Sequence, residues 1–196
     1  MAGLYTEEKA PIVKNAPNPL YIIPGDPDRV EEIKAITQRI FPVSYQNDFY
    51  QKLFSKNTFV QLLCRSENNE IIGLFAARIS DPHTMDIKND LQQGGSKCQC
   101  QEEDPLLENR ILYVILLGVS QEFRGAGHGK MLIREIESIA VAYGIKHVVL
   151  HVQTSNLPAI EFYYKLGFKL VKLITNYYKN VYPKDAFLLQ KCLYSQ

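Results

Sequence analysis

The apolar positions of this chain fall into runs of two periods. LYII, from Leu20, reads as a first strand, and Asp26-Pro27 reads as a helix start, with Asp as cap and Pro at the first helical position. Val30, Ile33, Thr37 and Ile40 follow at helical spacing. That helix stops at Phe41, because Pro42 lacks a backbone donor and biases its predecessor away from the α region. A short helix over Asn47–Phe54 comes next. TFVQLLCR (Thr58–Arg65) and EIIGLFAARI (Glu70–Ile79) read as strands joined at Glu67-Asn68-Asn69. ILYVILLGV (Ile111–Val119) is nearly continuous in apolar character, as expected of a strand buried on both faces. A helix over Gly129–Tyr143 carries Leu132, Ile136, Ile139 and Tyr143 on one face, and HVVLHVQ (His147–Gln153) is another buried strand. Asn156 caps a helix with Pro158 in its first turn, Gly167 sits where a left-handed residue ends it, and FKLVKLI and AFLLQKCLY are closing strands. This alternation predicts an α/β (α+β) chain with a mixed sheet of seven strands and about four helices on both faces.

Two segments obey neither period. Residues 1–18 are polar, contain Pro11 and Pro17, and read as a flexible tail, so the domain is expected over 19–196. Residues 80–109 contain Gly94-Gly95 and seven acids against two bases, Lys88 and Lys97. So long an aperiodic segment is a disordered insertion or a functional loop, and disorder is the preferred reading. Its acidic run Glu102–Asp104 reads as solvated charge, with attraction of basic peptides as the alternative.

Composition narrows the class. With 196 residues, of which 46% are hydrophobic, the chain suits one globular domain that needs neither disulfide nor metal to hold a core. Its net charge of +1 argues against a nucleic-acid binder. Neither a membrane-length apolar run nor a signal-peptide core is evident, so no membrane partner is expected. Cys64, Cys98, Cys100 and Cys192 fit no disulfide framework, which points to a reducing cytoplasmic or nuclear setting. Cys98-x-Cys100 lacks a second Cys or His pair, so no metal site is expected.

Candidate chemistry concentrates in Arg124-Gly125-Ala126-Gly127-His128-Gly129-Lys130, between a buried strand and a helix. Glycines let a backbone approach an anion closely, and the free N–H groups of a helix start point toward it. Pyrophosphate suits such a turn, but a tight structural turn is an equal reading of three glycines alone. No Walker or dinucleotide fingerprint is present. The spacing R-x-x-G-x-G at Arg124, Gly127 and Gly129, followed downstream by LHVQTSNLPAIEFYYKLGF, resembles the acyl-CoA motifs of GNAT acetyltransferases. FPVSY (Phe41–Tyr45), LYVILLG, LHVQTSN and NYYKNVYPKDAFLLQK further resemble catalytic subunits of the NatE type, which acetylate protein N-terminal α-amines.

The resemblance implies a GNAT fold with a mostly antiparallel sheet, and roles residue by residue. Leu117 and Val119 would pair with pantetheine through their backbone, and Arg124 through Lys130 would hold the pyrophosphate of acetyl-CoA. Asn156 and Tyr163 would contact the cofactor near its thioester, with Tyr163 as proton donor to the leaving thiolate. Tyr113 and His151 would remove the amine proton through ordered water. Phe41, Pro42, Val43, Tyr45, Tyr177, Tyr178 and Val181 would wall the peptide groove. Gly125 departs from relatives that often carry a second Arg there, leaving Lys130 to compensate.

Taken alone, His151 also reads as a hydrogen-bonded structural histidine and Tyr113 as a strand aromatic. Adjacent Tyr177 and Tyr178 point opposite ways on a straight backbone, so at most one lines a groove unless the chain bends there. An α-amine near 7.7–8.0 is partly neutral at pH 7, and a histidine near its ordinary value suits the remaining proton transfer. The expectation is acetyl transfer to Met-initiated N-termini with an apolar or amphipathic second residue. Lysine acetylation, or a weakly active acetyl-CoA-binding subunit, are the alternatives. The resemblance also implies docking to the NatA complex and the ribosome.

Overall fold

A computed structural model describes residues 19–81, 110–179 and 181–194. The expected tail, and all of the acidic insertion but Ser80 and Asp81, lie outside the described residues. The chain divides into two compact units, one of residues up to Ala76 with Leu116–Leu132, the other of Ala77–Ile115 with Ile133 onward.

In the first unit β1 (Leu20–Pro24) pairs antiparallel with β2 (Thr58–Arg65), Leu20 opposite Arg65 and Pro24 opposite Gln61. Asp26 caps the chain as expected, its carboxylate accepting the Asp28 N–H at 2.8 Å, but the first turn is a tight 3-10 turn (Pro27–Arg29). Helix α1 (Val30–Ile40) then buries Ile33, Ile36, Thr37 and Ile40, and Phe41 adopts extended backbone ahead of Pro42. Helix α2 (Asn47–Leu53) buries Tyr50 and Leu53. The Tyr50 hydroxyl lies 2.8 Å from Thr37 Oγ1, which itself donates to the Lys34 carbonyl, so the one buried polar group of α1 is satisfied.

Strand β3 (Ile71–Ser80) is buried along nearly its whole length, and β4 (Ile111–Val119) keeps the bounds its apolar run predicts. Two glycines let backbones approach here. A Cβ on Gly73 would lie 3.0 Å from the Gly118 carbonyl, and one on Gly118 would lie 2.3 Å from Ile40 Cγ2 and 3.1 Å from Phe41 Cζ. A 3-10 turn (Gln121–Phe123) then leads to helix α3 (His128–Ala142).

In the second unit β4 runs parallel to β5 (His147–Gln153), Tyr113 opposite Val149. β5 pairs antiparallel with β7 (Ala186–Cys192), which pairs antiparallel with β6 (Lys169–Ile174). Leu132, Ile136 and Ile139 of α3 are buried as expected, but Tyr143 lies beyond the helix end and is exposed. Asn156 caps helix α4 (Leu157–Lys165) by accepting the Ala159 N–H at 3.4 Å, and Gly167 takes a φ of +87° after it. Among the described residues the hydrogen-bonded strand order is β1-β2-β3-β4-β5-β7-β6, a mixed seven-stranded sheet accompanied by four α-helices.

Candidate active site

In the second unit, alternation along the strands selects which side chains share a face. Tyr113, Val149 and Leu188 pack together with Ile111, and His151, two residues after Val149, occupies that same face one pleat farther on. The Tyr113 hydroxyl spans the step and lies 2.9 Å from His151 Nδ1. The Tyr177 hydroxyl lies 3.0 Å from it on its other side. Tyr177 also stacks on the imidazole, with ring centroids 4.2 Å apart and planes 14° from parallel. His151 therefore has its plane set by one tyrosine and its Nδ1 engaged by another.

Burial orders the three groups. Tyr113 is 8% exposed, whereas Tyr177 is 39% exposed. Burial, and then the neighbouring Tyr177 hydroxyl, hold the Tyr113 phenol far above its ordinary value, so it stays protonated. Burial lowers His151 to about 4. This corrects the expectation of an ordinary histidine base, because the imidazole is neutral at neutral pH and cannot draw a proton from an ammonium without help. Its Nε2 is buried and has no hydrogen-bond partner among the described residues.

The segment after β6 delivers Tyr177 by a bend. Asn176 takes a left-handed φ of 56°, and its N–H donates to Asp185 Oδ1 at 2.9 Å. Tyr178 N–H donates to the Lys184 carbonyl at 2.8 Å, and Thr154 N–H to the Asp185 carbonyl at 3.0 Å. Gln153 Nε2 donates to the Pro183 carbonyl at 2.7 Å, which ties the segment to the end of β5. The bend resolves the problem of adjacent tyrosines, since the Tyr177 and Tyr178 rings meet edge to face 4.9 Å apart. Tyr177 thus belongs beside His151, a closer placement than a groove wall, while Val181 is half-buried. Tyr163 is buried against Phe162 and Phe168, and burial raises its phenol above the ordinary range, so it too stays protonated.

In the first unit, Gly125 and Gly127 take φ of +82° and +85°, with open space where a Cβ would stand. Two left-handed glycines turn the chain from Arg124 into α3, whose Met131 N–H reaches the Gly127 carbonyl at 3.1 Å. Arg124 Nε donates to the Val119 carbonyl at 2.9 Å, bracing the turn and engaging one of the two strand positions expected to pair with pantetheine. His128 Nδ1 lies 2.8 Å from the Phe123 carbonyl, so that nitrogen carries a proton. Ala126 and Lys130 are exposed, Gly129 and Leu117 half-buried.

Separately in this unit, Phe41 meets Tyr45 edge to face at 6.3 Å, and Tyr45 stacks on Phe49 at 4.2 Å. Burial, and then the neighbouring Tyr50, push the Tyr45 phenol up to about 12. Val43 is half-buried and Pro42 exposed.

Residue reasoning missed Gly118, Gln153 and Asp185. Gly118 is conspicuous only as a glycine inside a strand pattern, and the other two carry no local signal at all. Among the described residues no group of three metal-ligating side chains occurs, and no helix is long and apolar enough to cross a membrane. Cys98 and Cys100 lie outside the described residues.

Residues 30–168 match the acetyltransferase (GNAT) family model. N-alpha-acetyltransferase 50 of Danio rerio is 30% identical over 170 residues, covering 86% of each chain. Among solved structures, Arabidopsis thaliana Naa50 in complex with the bisubstrate analogue CoA-Ac-MVNAL superposes with a TM-score of 0.68 at 24% identity, over 89% of this chain and 99% of that one. Arabidopsis thaliana NAA60 in complex with acetyl-CoA gives 0.73 at 24% identity, over 89% and 98%.

Proposed function

Since this chain belongs to the acetyltransferase (GNAT) family, an acetyl-CoA-dependent acyltransferase group, we propose that it acetylates protein N-terminal α-amines. Its preferred substrates begin with Met followed by an apolar or amphipathic residue. The observation that carries this reading is the hydrogen-bonded Tyr113–His151 pair, whose buried Nε2 has no partner among the described residues. The likeness to N-alpha-acetyltransferase 50 and the printed ligand of its Arabidopsis counterpart, CoA-Ac-MVNAL, support the same substrate class.

In this mechanism the glycine turn from Arg124 to Lys130 holds the pyrophosphate of acetyl-CoA with its backbone N–H groups and flanking cations. Asn156 and Tyr163 serve near the thioester, Leu117 and Val119 along the pantetheine arm. By the resemblance, Phe41, Pro42, Val43 and Tyr45 in the first unit are peptide-binding residues, and so are Tyr178 and Val181 in the second.

Proton economy favours an α-amine over a lysine. An α-amine near 7.7–8.0 is partly neutral at pH 7, whereas a lysine near 10.4 must lose about 2.5 more units, or roughly 3.5 kcal/mol. The amine that attacks is therefore already neutral. As the C–N bond forms, the nitrogen gains positive charge and its acidity rises steeply. The buried imidazole then takes the proton, directly or through one water. Collapse of the tetrahedral intermediate breaks the C–S bond, and the protonated Tyr163 supplies the thiolate with its proton. Transfer is direct, with no acyl-enzyme.

By the same resemblance the protein works in the cytoplasm, and in the nucleus as well, docking to the NatA complex at the ribosome as a NatE-type subunit. The test uses a Met-Leu peptide beside an N-terminally blocked twin with a free lysine. Transfer to the first alone, lost in His151→Ala, is the expected result. Transfer to the blocked peptide makes this a lysine acetyltransferase, and silence on both leaves the weakly active subunit.

A further inference from the structure

Tyr177, Tyr113 and His151 form a row of three groups, each with one proton to place at neutral pH. The spacings are 3.0 Å between the two hydroxyls and 2.9 Å from Tyr113 to Nδ1. Three orderings satisfy both hydrogen bonds, and the one in which Tyr113 accepts from both neighbours leaves its own buried proton without an acceptor in the row. If the protons point inward, Tyr177 donates to Tyr113, Tyr113 donates to Nδ1, and the imidazole proton sits on Nε2. If they point outward, Nδ1–H donates to Tyr113, Tyr113 donates to Tyr177, and the Tyr177 proton points away from the row.

The surroundings choose between them. The inward ordering leaves a buried N–H at Nε2 with no acceptor among the described residues, and a buried orphan donor is a costly feature in proteins. The outward ordering places its last proton on the most exposed member of the row, which is 39% exposed. It also leaves Nε2 with a lone pair, the state a base requires. We propose that Tyr177 is a positioning residue that sets the tautomer of His151. By accepting the Tyr113 proton, its hydroxyl keeps the imidazole proton on Nδ1 and frees Nε2 to receive the proton of the substrate amine. Its ring, stacked 14° from parallel, holds the imidazole plane in which that lone pair points.

The inference deepens, and rests on, the reading of His151 as the base. Burial that depresses His151 to about 4 makes the imidazole neutral under working conditions, so its tautomer is the variable that matters. Tyr177 has then a different role from a peptide-groove wall, because its effect is present before any substrate binds.

The test reads the tautomer directly. Nitrogen NMR of the full chain with isotope-labelled histidine, at neutral pH and without peptide, compares wild type with Y177F, which removes one oxygen and keeps the stacked ring. Wild type is expected to carry the His151 proton on Nδ1, and Y177F on Nε2. In parallel, kcat of Y177F for a Met-Leu peptide falls about tenfold or more, with KM nearly unchanged. A proton on Nε2 in wild type overturns the proposal whether or not the variant folds. An identical tautomer in both proteins overturns it too, as does a rise in KM with kcat intact, which returns Tyr177 to the peptide wall. If the tautomer switches in a protein inactive on free N-termini, the positioning role stands and the substrate reading falls.

Discussion

A neutral, buried imidazole is a weak base by intrinsic affinity, and that shapes the expected kinetics. With His151 near 4 and an α-amine near 8, stripping a protonated amine outright runs roughly 5 kcal/mol uphill. The enzyme must therefore select the fraction of substrate that is already neutral. The acid limb of kcat/KM is expected to follow the ionisation of the peptide amine, with no inflection near 6.5 from a histidine. Profiles for peptides whose α-amines differ in basicity check this, since the limb must move with the peptide. An inflection that stays fixed near 6.5 across peptides would assign the limb to the protein. The family resemblance, and not residue chemistry, paired Tyr113 with His151, and neither anticipated the depressed imidazole, because burial of one ring is set by neighbouring strands and no neighbour in sequence reports it.

Elements were the most legible level. β4 and β5 keep the bounds their apolar runs predict, and the Asp26, Asn156 and Gly167 positions act as the caps their chemistry suggests. These features rest on local rules, so a short window of sequence contains them. The segment between β6 and β7 was not legible, because its shape depends on bonds to a strand more than twenty positions earlier. Asp185 is the main tie, taking Asn176 N–H on its carboxylate and Thr154 N–H on its carbonyl. Asp185→Ala removes a charge-assisted bond and is expected to lower stability by about 1–2 kcal/mol. Because Tyr177 rides on that segment, kcat falls further than this stability loss explains, measured under conditions where the variant remains folded by circular dichroism.

For the molecule as a whole, the buried histidines set a direction for acid sensitivity. Burial lowers both His151 and His147, the latter also by the nearby Lys146. An unfolded histidine near 6.5 binds protons that the folded one refuses until about 4, so the unfolded state gains protons across that window. Stability accordingly falls as pH drops from about 6.5 toward 4. Urea unfolding at pH 7 and pH 5 measures the slope, and His151→Asn is expected to reduce the difference between the two by about 1–2 kcal/mol. A slope unchanged by the substitution would place the acid sensitivity on His147, which burial also lowers. Composition announced an ordinary globular chain but carried no information on this slope.

The hydrogen that serves as side chain at position 118 also constrains the order in which this sequence can have diverged. Every single-residue replacement there adds at least a methyl, and that methyl lands 2.3 Å from Ile40 Cγ2. Gly118→Ala alone is expected to cost about 1–3 kcal/mol through overpacking. Ile40→Ala deletes the nearest carbon and leaves only the looser contacts with Phe41 at 3.1 and 3.3 Å, so the two changes made together cost less than their sum. A double-mutant cycle by urea unfolding measures that coupling, and additivity would refute it. A lineage therefore loses this glycine at lower cost once its partner on α1 has been trimmed, and the contact favours one order of steps over the other.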